Sequence, residues 1–397
     1  ESYFRARPSA LRQSSLFPFI LTGFLLYCLW LTYTILHAVF RALKEQPPDR
    51  SHDSSAETSW CRRHGLCLAI GLAVALVHIH NFVHYPPTRS DFDWRGHGQY
   101  VQYVVDHWRV PVASSGWEMF QPPLYYFVAA TMSTLFGGLS ADPLSVKAVQ
   151  WISTMSGLWN VAVTWLILWT LFPTASRLRT LGFSVAAMLP MGFYMNAMVN
   201  NEIFAASLIG TAIWLVLRNG FGQPRNWRGG AVIGLVCGLA LLSRYTALFV
   251  FLSVFMLSAL RLATRRRICH PTIVAVVLAL VMCGWYYARN AWQFHDPFVG
   301  NWDNTSGFHY EQQPGYRTLD FYTHFGSVFL DHPERSLWAS FGDGLYASAW
   351  TDAHGTFLDM NDVTTQVVAG IILMLALLPS VAIAMGFSQS VGWLIQR

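Results

Sequence analysis

GLCLAIGLAVALVHIHNFVH (65–84) runs for twenty residues without an Asp, Glu, Lys or Arg, and YPPTRSDFDWRGHG (85–98) follows it at once with two acids, two arginines and a histidine. A helix of about 20 apolar residues crosses the hydrocarbon core of a bilayer. The first stretch therefore reads as a membrane span and the second as its water-facing exit. Further apolar runs fall near 16–40, 122–138, 148–172, 180–199, 201–218, 229–262, 271–291 and 363–387. The run 229–262 exceeds one crossing and is expected to fold as two short helices. Residues 16–40 are too long for the core of a cleavable signal, so they read as a span.

Composition agrees with that pattern. The chain is 53% hydrophobic and 12% charged, against about 25% charged for a soluble domain. Mean hydropathy is +0.34. The net charge of +5 comes from short basic clusters between the apolar runs, which orient a membrane protein and do not form a nucleic-acid footprint. Cys28, Cys61, Cys67, Cys237, Cys269 and Cys283 contain no CxxC pair, and four lie in or beside apolar runs, where they read as small hydrophobes.

The basic clusters set a topology. Arg41, Lys44, Arg50, Arg62 and Arg63 form one, Arg177 and Arg179 a second, Arg218, Arg225 and Arg228 a third, and Arg261, Arg265, Arg266 and Arg267 a fourth. The positive-inside tendency puts all four in the cytoplasm. Loops 85–121 and 292–362 then fall outside, as do the turns at Asn200-Asn201-Glu202 and Ser243-Arg244-Tyr245, so four polar elements share one face. Run 122–138 breaks the parity, and a re-entrant or interfacial helix would resolve it. Gln99 to Trp108 carries Val101, Val104, Val105 and Trp108 at helical spacing, which suits a helix lying on the membrane surface. Loop 292–362 holds Asp296, Asp303, Glu311, Asp320, Asp331, Glu334, Asp343 and Asp352, and its length marks it as a lid or binding element. Residues 45–58 read as a polar linker.

Several constellations carry chemistry. Asp91 and Asp93, with His97 four residues on, place two carboxylates at i and i+2. Such a pair shares a divalent cation, or one acid acts as general base while the other orients it; two ordinary solvated acids are the plain alternative. Gln121-Pro122-Pro123-Leu124-Tyr125-Tyr126 opens the next apolar run with prolines suited to a first helical turn. Glu202 starts an apolar helix, where the dipole stabilises an acid, or else it marks a hairpin tip. Arg244 interrupts an apolar run and Arg289 closes one. An ionisable residue in a span is a functional-site hypothesis, and a guanidinium fork suits phosphate; snorkelling to the headgroups is the alternative for Arg289. His78, His80 and His84 read as polar residues at a helix exit rather than as haem or metal ligands.

Five stretches in this order resemble the GT-C class of membrane glycosyltransferases, nearest its protein O-mannosyltransferase and aminoarabinose-transferase-like branch. They are SDFDWRGHGQYVQYVVDHWRVPV (90–112), QPPLYYFVAA (121–130), NNEIFA (200–205), LLSRYTAL (241–248) and GWYYARNAWQFHDPF (284–298). The resemblance implies an all-α GT-C-like transmembrane bundle with juxtamembrane helices in an outer loop. Its parts would be an extra N-terminal span and cytoplasmic linker (1–64), a core with the acidic first outer loop (65–291), an extracytoplasmic loop region (292–362) and a C-terminal span (363–397). It implies transfer of a sugar from a polyprenyl-phosphate donor to a glycan, lipid or protein acceptor, with inversion, at the outer face of a bacterial inner membrane. Asp93 would be the base and Asp91 its partner. His97, Asn201, Glu202, Arg244, Tyr245 and Arg289 would bind substrate, the arginines holding the lipid phosphate. Some members use a divalent cation (Mg, Mn or Zn), for which Asp91, Asp93 and His97 would be ligands. Many members write the acidic pair Asp-Glu where this chain has Asp-Phe-Asp, so the base falls on either aspartate. A non-catalytic subunit of a membrane complex on the same scaffold is the alternative from another class. A transporter lacks support, since no two matching halves appear.

Overall fold

The computed structural model describes residues 60–86, 93–136, 143–219, 227–253, 256, 270–300, 318–330, 339–352 and 362–395. The expected span 16–40, the linker 45–58 and Asp91 lie outside them. Among the described residues every regular element is helical. Five helices are long and apolar enough to cross a membrane. The all-α membrane architecture read from the sequence is the one observed.

The chain divides into two compact units, Trp60–Met188 with Met195–Gln312 forming the larger. Its helices are α1 (Trp60–His84), α2 (Trp94–His107), α3 (Leu124–Leu135), α4 (Pro143–Leu171), α5 (Ser176–Ala187), α7 (Asn201–Arg218), α8 (Trp227–Leu241) and α9 (His270–Phe294). A short α6 (Pro190–Met195) comes between α5 and α7.

The run 180–199 does not form one helix. It breaks between Ala187 and Pro190, because proline has no N–H to bond a carbonyl four residues back and restricts the residue before it. Run 229–262 breaks as expected, after Leu241, where Ser243 and Arg244 still donate their N–H groups to Ala240. Helix α3 has 12 residues, about 18 Å, well short of the ~30 Å hydrocarbon core. That length fits the re-entrant or interfacial reading of 122–138.

Helix α2 begins earlier than the periodicity suggests, at Trp94, and ends where Trp108 turns to φ 48°. Its apolar side is not laid open to lipid. Tyr100, Val101 and Val104 are fully buried against Tyr125, Tyr126, Ala129 and Ala130 of α3, while Trp108 is exposed. The amphipathic pattern thus reports a helix-on-helix seam.

The tightest seam joins α8 to α9. A Cβ on Gly230 would lie 2.1 Å from the Pro271 carbonyl oxygen, one on Gly234 2.4 Å from that of Ala275, and one on Gly238 2.7 Å from Met282 and 3.2 Å from Ala279. Small residues every fourth position let two backbones touch, which is the main packing device available in lipid. Partner positions rise four for four with the glycines, so α8 and α9 run parallel. They meet again where the Tyr287 hydroxyl donates to Leu241 O, in the last turn of α8, at 2.8 Å. The C-terminal end of α1 is held by Lys147, whose ammonium bonds Phe82 O, Tyr85 O and the Gln150 side chain, a cation at the negative end of a helix.

In the smaller unit, Val328, Tyr346, Ala347, Trp350, Leu373 and Ala376 form a core between α11 (Phe341–Trp350) and α12 (Val363–Ile395). A five-residue α10 (Leu319–Thr323) precedes them. Asp343 is fully buried and accepts from Gly326 N, Val328 N and Ser340 Oγ, while Ser340 Oγ accepts from Asp343 N. This is a reciprocal cap at a helix start. Asp362 caps α12 by accepting from Thr365 N at 3.0 Å. Two acids at the edges of the expected lid are therefore structural; Asp303, Glu311, Asp331 and Glu334 lie outside the described residues.

Gly234→Ala would force α8 off α9 and cost about 1–3 kcal/mol by overpacking. A lower melting temperature in detergent micelles checks it against Gly284→Ala, a glycine of α9 with nothing within 4 Å of its would-be Cβ.

Candidate functional site

Three chain segments meet where α7 begins. The first is the end of the loop after α2. Here Glu118, Phe120 and Gln121 are buried, and the backbone is pinned by the Tyr286 hydroxyl on Phe120 O (2.7 Å) and the Tyr100 hydroxyl on Gln121 O (3.3 Å). The second is Asn200-Asn201-Glu202. Asn200 is the N-cap of α7, its side-chain oxygen accepting from Glu202 N and Ile203 N, so this is a capped helix start rather than a hairpin tip. The third is the break after α8, where Leu242 O accepts Leu124 N at 2.9 Å and ties α8's end to α3's start.

Side chains from the three segments form one hydrogen-bonded chain. Gln121 Nε2 donates to Glu118 Oε2 at 3.1 Å. Asn201 Nδ2 donates to Gln121 Oε1 at 3.2 Å and to Ser243 O at 3.0 Å. Arg244 Nη1 donates to Asn201 Oδ1 at 3.0 Å, and Arg244 Nη2 pairs with Glu202 Oε1 at 2.7 Å. Asn201 is fully buried and Gln121 is 5% exposed, whereas the Arg244 side chain retains 22% and Glu202 39%. The chain runs from the interior toward an open end at the guanidinium. Asp93, at the N-terminal boundary of α2, and Glu118 stand near enough for their charges to interact.

Glu118 went unread in the sequence. The signal was present: it is the one acid between Asp106 and the Pro-Pro helix start, amid Trp117, Met119 and Phe120. Burial raises its carboxyl to about 7; Asp93 and Glu202 push the same way, while the Gln121 hydrogen bond and Arg244 oppose them. Gly96 makes room for it, because a Cβ there would sit 2.6 Å from Glu118 Cγ. His97 is buried, and its Nδ1 meets the Tyr126 hydroxyl at 2.8 Å. Burial, with Arg244's charge, holds its pKa down to about 3, so it is neutral at physiological pH.

The structure thus gathers Asn201, Glu202 and Arg244 into one network, with Asp93 coupled to it through Glu118. Tyr245 packs on the cluster of Ala113, Phe120 and Val299, beside the same loop. Arg289 is engaged differently: Nη2 donates to Pro111 O at 2.7 Å and Val110 O at 3.3 Å, holding the loop backbone. Asp91 lies outside the described residues. Among those described, no three His, Cys, Asp or Glu side chains gather around a position for one cation. Of the histidines at the end of α1, His78 is buried with Asn196 Nδ2 2.9 Å from its Nε2, and His80 stacks on His84 at 4.2 Å.

Residues 120–287 match the family described as dolichyl-phosphate-mannose-protein mannosyltransferase, less than half of the chain. The segment carries Gln121, Asn201, Glu202, Arg244 and Tyr245; Asp93 and Glu118 precede it. Over that segment the match bears out the GT-C membrane glycosyltransferase class that the sequence resembles. No curated protein matches the chain. Among solved structures, it is similar to the archaeal oligosaccharyltransferase AglB of Archaeoglobus fulgidus in complex with an inhibitory peptide and a dolichol-phosphate. That likeness is at 14% identity over 83% of this chain and 38% of that one, with a TM-score of 0.42. An Archaeoglobus fulgidus oligosaccharyltransferase tethered to an acceptor peptide containing the NVT sequon matches at 12% over 81% of this chain and 50% of that one, with a TM-score of 0.41. The chain spans half or less of those proteins, and such loose superpositions carry no argument about the site.

The Glu118 carboxyl binds its proton more tightly folded than unfolded, so its burial costs nothing below about pH 4.5. It costs progressively more up to about pH 7, where it reaches the order of 3 kcal/mol. Glu118→Gln removes this cost. Its melting temperature is expected to gain on the wild type as pH rises from 4.5 to 7 and to hold a constant offset above that; a pH series of melts in micelles measures it.

Proposed function

We propose that this chain is a glycosyltransferase that moves a sugar from a polyprenyl-phosphate carrier to an acceptor hydroxyl or amide. We place the reaction at the extracytoplasmic face of a bacterial inner membrane, the side opposite the basic clusters. The observation that carries the reading is Arg244. Its guanidinium is held by Asn201 and Glu202 with two of its five N–H donors, it remains partly exposed, and its charge reaches Glu118, which in turn is coupled to Asp93. A fixed cation suits a departing phosphate; a carboxylate coupled to the same network suits an acceptor that must lose a proton.

The steps follow from those positions. Asp93 takes the proton of the acceptor as the acceptor atom bonds to the anomeric carbon from the face opposite the phosphate. The bond from the anomeric carbon to the phosphate oxygen breaks with its electron pair on that oxygen, and Arg244 offsets the charge that grows there. The sugar leaves inverted, on the acceptor, and polyprenyl phosphate is released. Arg289 serves this arrangement through Val110 and Pro111, keeping the loop that carries Glu118 in place. His97, neutral and bound to Tyr126, stands one helical turn from Asp93, its backbone N–H donating to Asp93 O. Tyr245 and Glu202 flank the phosphate-binding arginine. The family match and the fixed cation in one network with carboxyl groups favour a catalytic protein over a scaffold subunit.

Reconstituted in liposomes with a polyprenyl-phosphate-linked sugar and acceptor, Asp93→Asn is expected to lower the transfer rate about 10²–10⁴-fold. Arg244→Ala is expected to lower it about 10²–10³-fold. Rates unchanged in both variants would end the catalytic reading.

A further inference from the structure

We propose that Glu118 is a positioning residue for the lipid-phosphate grip: by accepting from Gln121 it fixes the side-chain amides through which Asn201 aims Arg244. This rests on the reading of Arg244 as the phosphate ligand.

Donors and acceptors leave only one arrangement of this chain. Arg244 can only donate, and the Ser243 carbonyl can only accept. Asn201 touches both, so its oxygen must face Arg244 and its nitrogen Ser243. That nitrogen also reaches Gln121, which must therefore present its oxygen. The Gln121 nitrogen is left facing Glu118, and position 118 has to supply an acceptor. Ionised or protonated, the Glu118 side chain has one in Oε2. The whole sequence is out of water at 118, 121 and 201, where stranding an amide donor costs about 1–3 kcal/mol. Removing the acceptor would be relieved by rotating the Gln121 amide, which turns its N–H₂ toward the Asn201 N–H₂ and breaks the link. Asn201 would then be held by Ser243 and Arg244 alone, and Arg244's other partner is the half-exposed Glu202, a surface pair that does little to fix a long side chain. The elements around Glu118 contribute Asp93 before α2, Tyr126 on α3, Glu202 on α7 and Arg244 after α8.

The test is direct binding of polyprenyl phosphate to the full chain in lipid nanodiscs, read as a ligand-dependent thermal shift across a titration, with melting of the unliganded variants as the folding control. Arg244→Ala should weaken binding. Glu118→Leu should weaken it roughly tenfold, within the range set by stranding one buried donor. Glu118→Gln, which keeps an acceptor, should restore it to within about twofold. Gln121→Leu breaks the chain one link further on and should match Glu118→Leu, and the double variant should be no weaker than either, since both cut one path. If Arg244→Ala binds as the wild type does, the phosphate reading fails and the proposal falls with it. If Arg244→Ala weakens binding but neither leucine variant does, the phosphate reading stands and the relay alone is overturned. A glutamine variant as weak as Glu118→Leu also overturns it, because charge rather than acceptor geometry would then be what matters. Should Glu118→Leu not fold, Gln121→Leu decides by the same criteria.

Discussion

A guanidinium placed among helix ends must be answered by acceptors, and here the first answer is the amide of Asn201. That side chain is held on three sides, by the Arg244 donor, the Ser243 carbonyl and the Gln121 amide oxygen, and no water competes at a fully buried position. From it the first outer loop, the start of α7 and the break after α8 become one unit. Losing a partner inside such a network costs more than its pairwise bonds suggest, because each amide orients the next. The tyrosine hydroxyls on Phe120 O and Gln121 O extend the same logic to the backbone, giving partners to carbonyls that would otherwise be buried bare.

What the sequence made legible follows from what sequence patterns encode. Runs without charges gave the spans, since a charge in lipid is costly wherever it falls. Clusters of arginine gave a topology in which loop 85–121, Asn201, Glu202 and Arg244 share a face, and the structure brings residues of those segments into contact. The interruption of 229–262 was visible because the run exceeds one crossing and Arg244 stands in the middle of it. Pairings were less visible. Periodicity shows that α2 has an apolar side but not whether lipid or α3 covers it. A proline within an apolar run was outweighed by hydropathy at 180–199, although its missing N–H breaks the helix there.

The site divides the same way. Isolated charges drew attention, so Asp93, Glu202 and Arg244 were singled out. Glu118 was passed over because its importance lies in burial, and burial in a loop has no periodicity to reveal it. The uncharged Gln121 and Asn201 carry the connection, and nothing local distinguishes a relay amide from an ordinary polar one. Arg244, interrupting an apolar run, and Arg289, closing one, carry the same expected phosphate role in sequence. Only the carbonyls of Val110 and Pro111 separate a cation that holds the chain from one left partly open.

The glycine seam between α8 and α9 has a metric consequence. Each helical residue rises about 1.5 Å, so sliding one helix by a single position would bring a side chain where only a hydrogen fits at three levels. The pair therefore has one depth setting. The distance along the membrane normal between the turn that carries Arg244 and the last turns of α9 is graduated in whole residues, and three missing methyl groups choose which graduation is used.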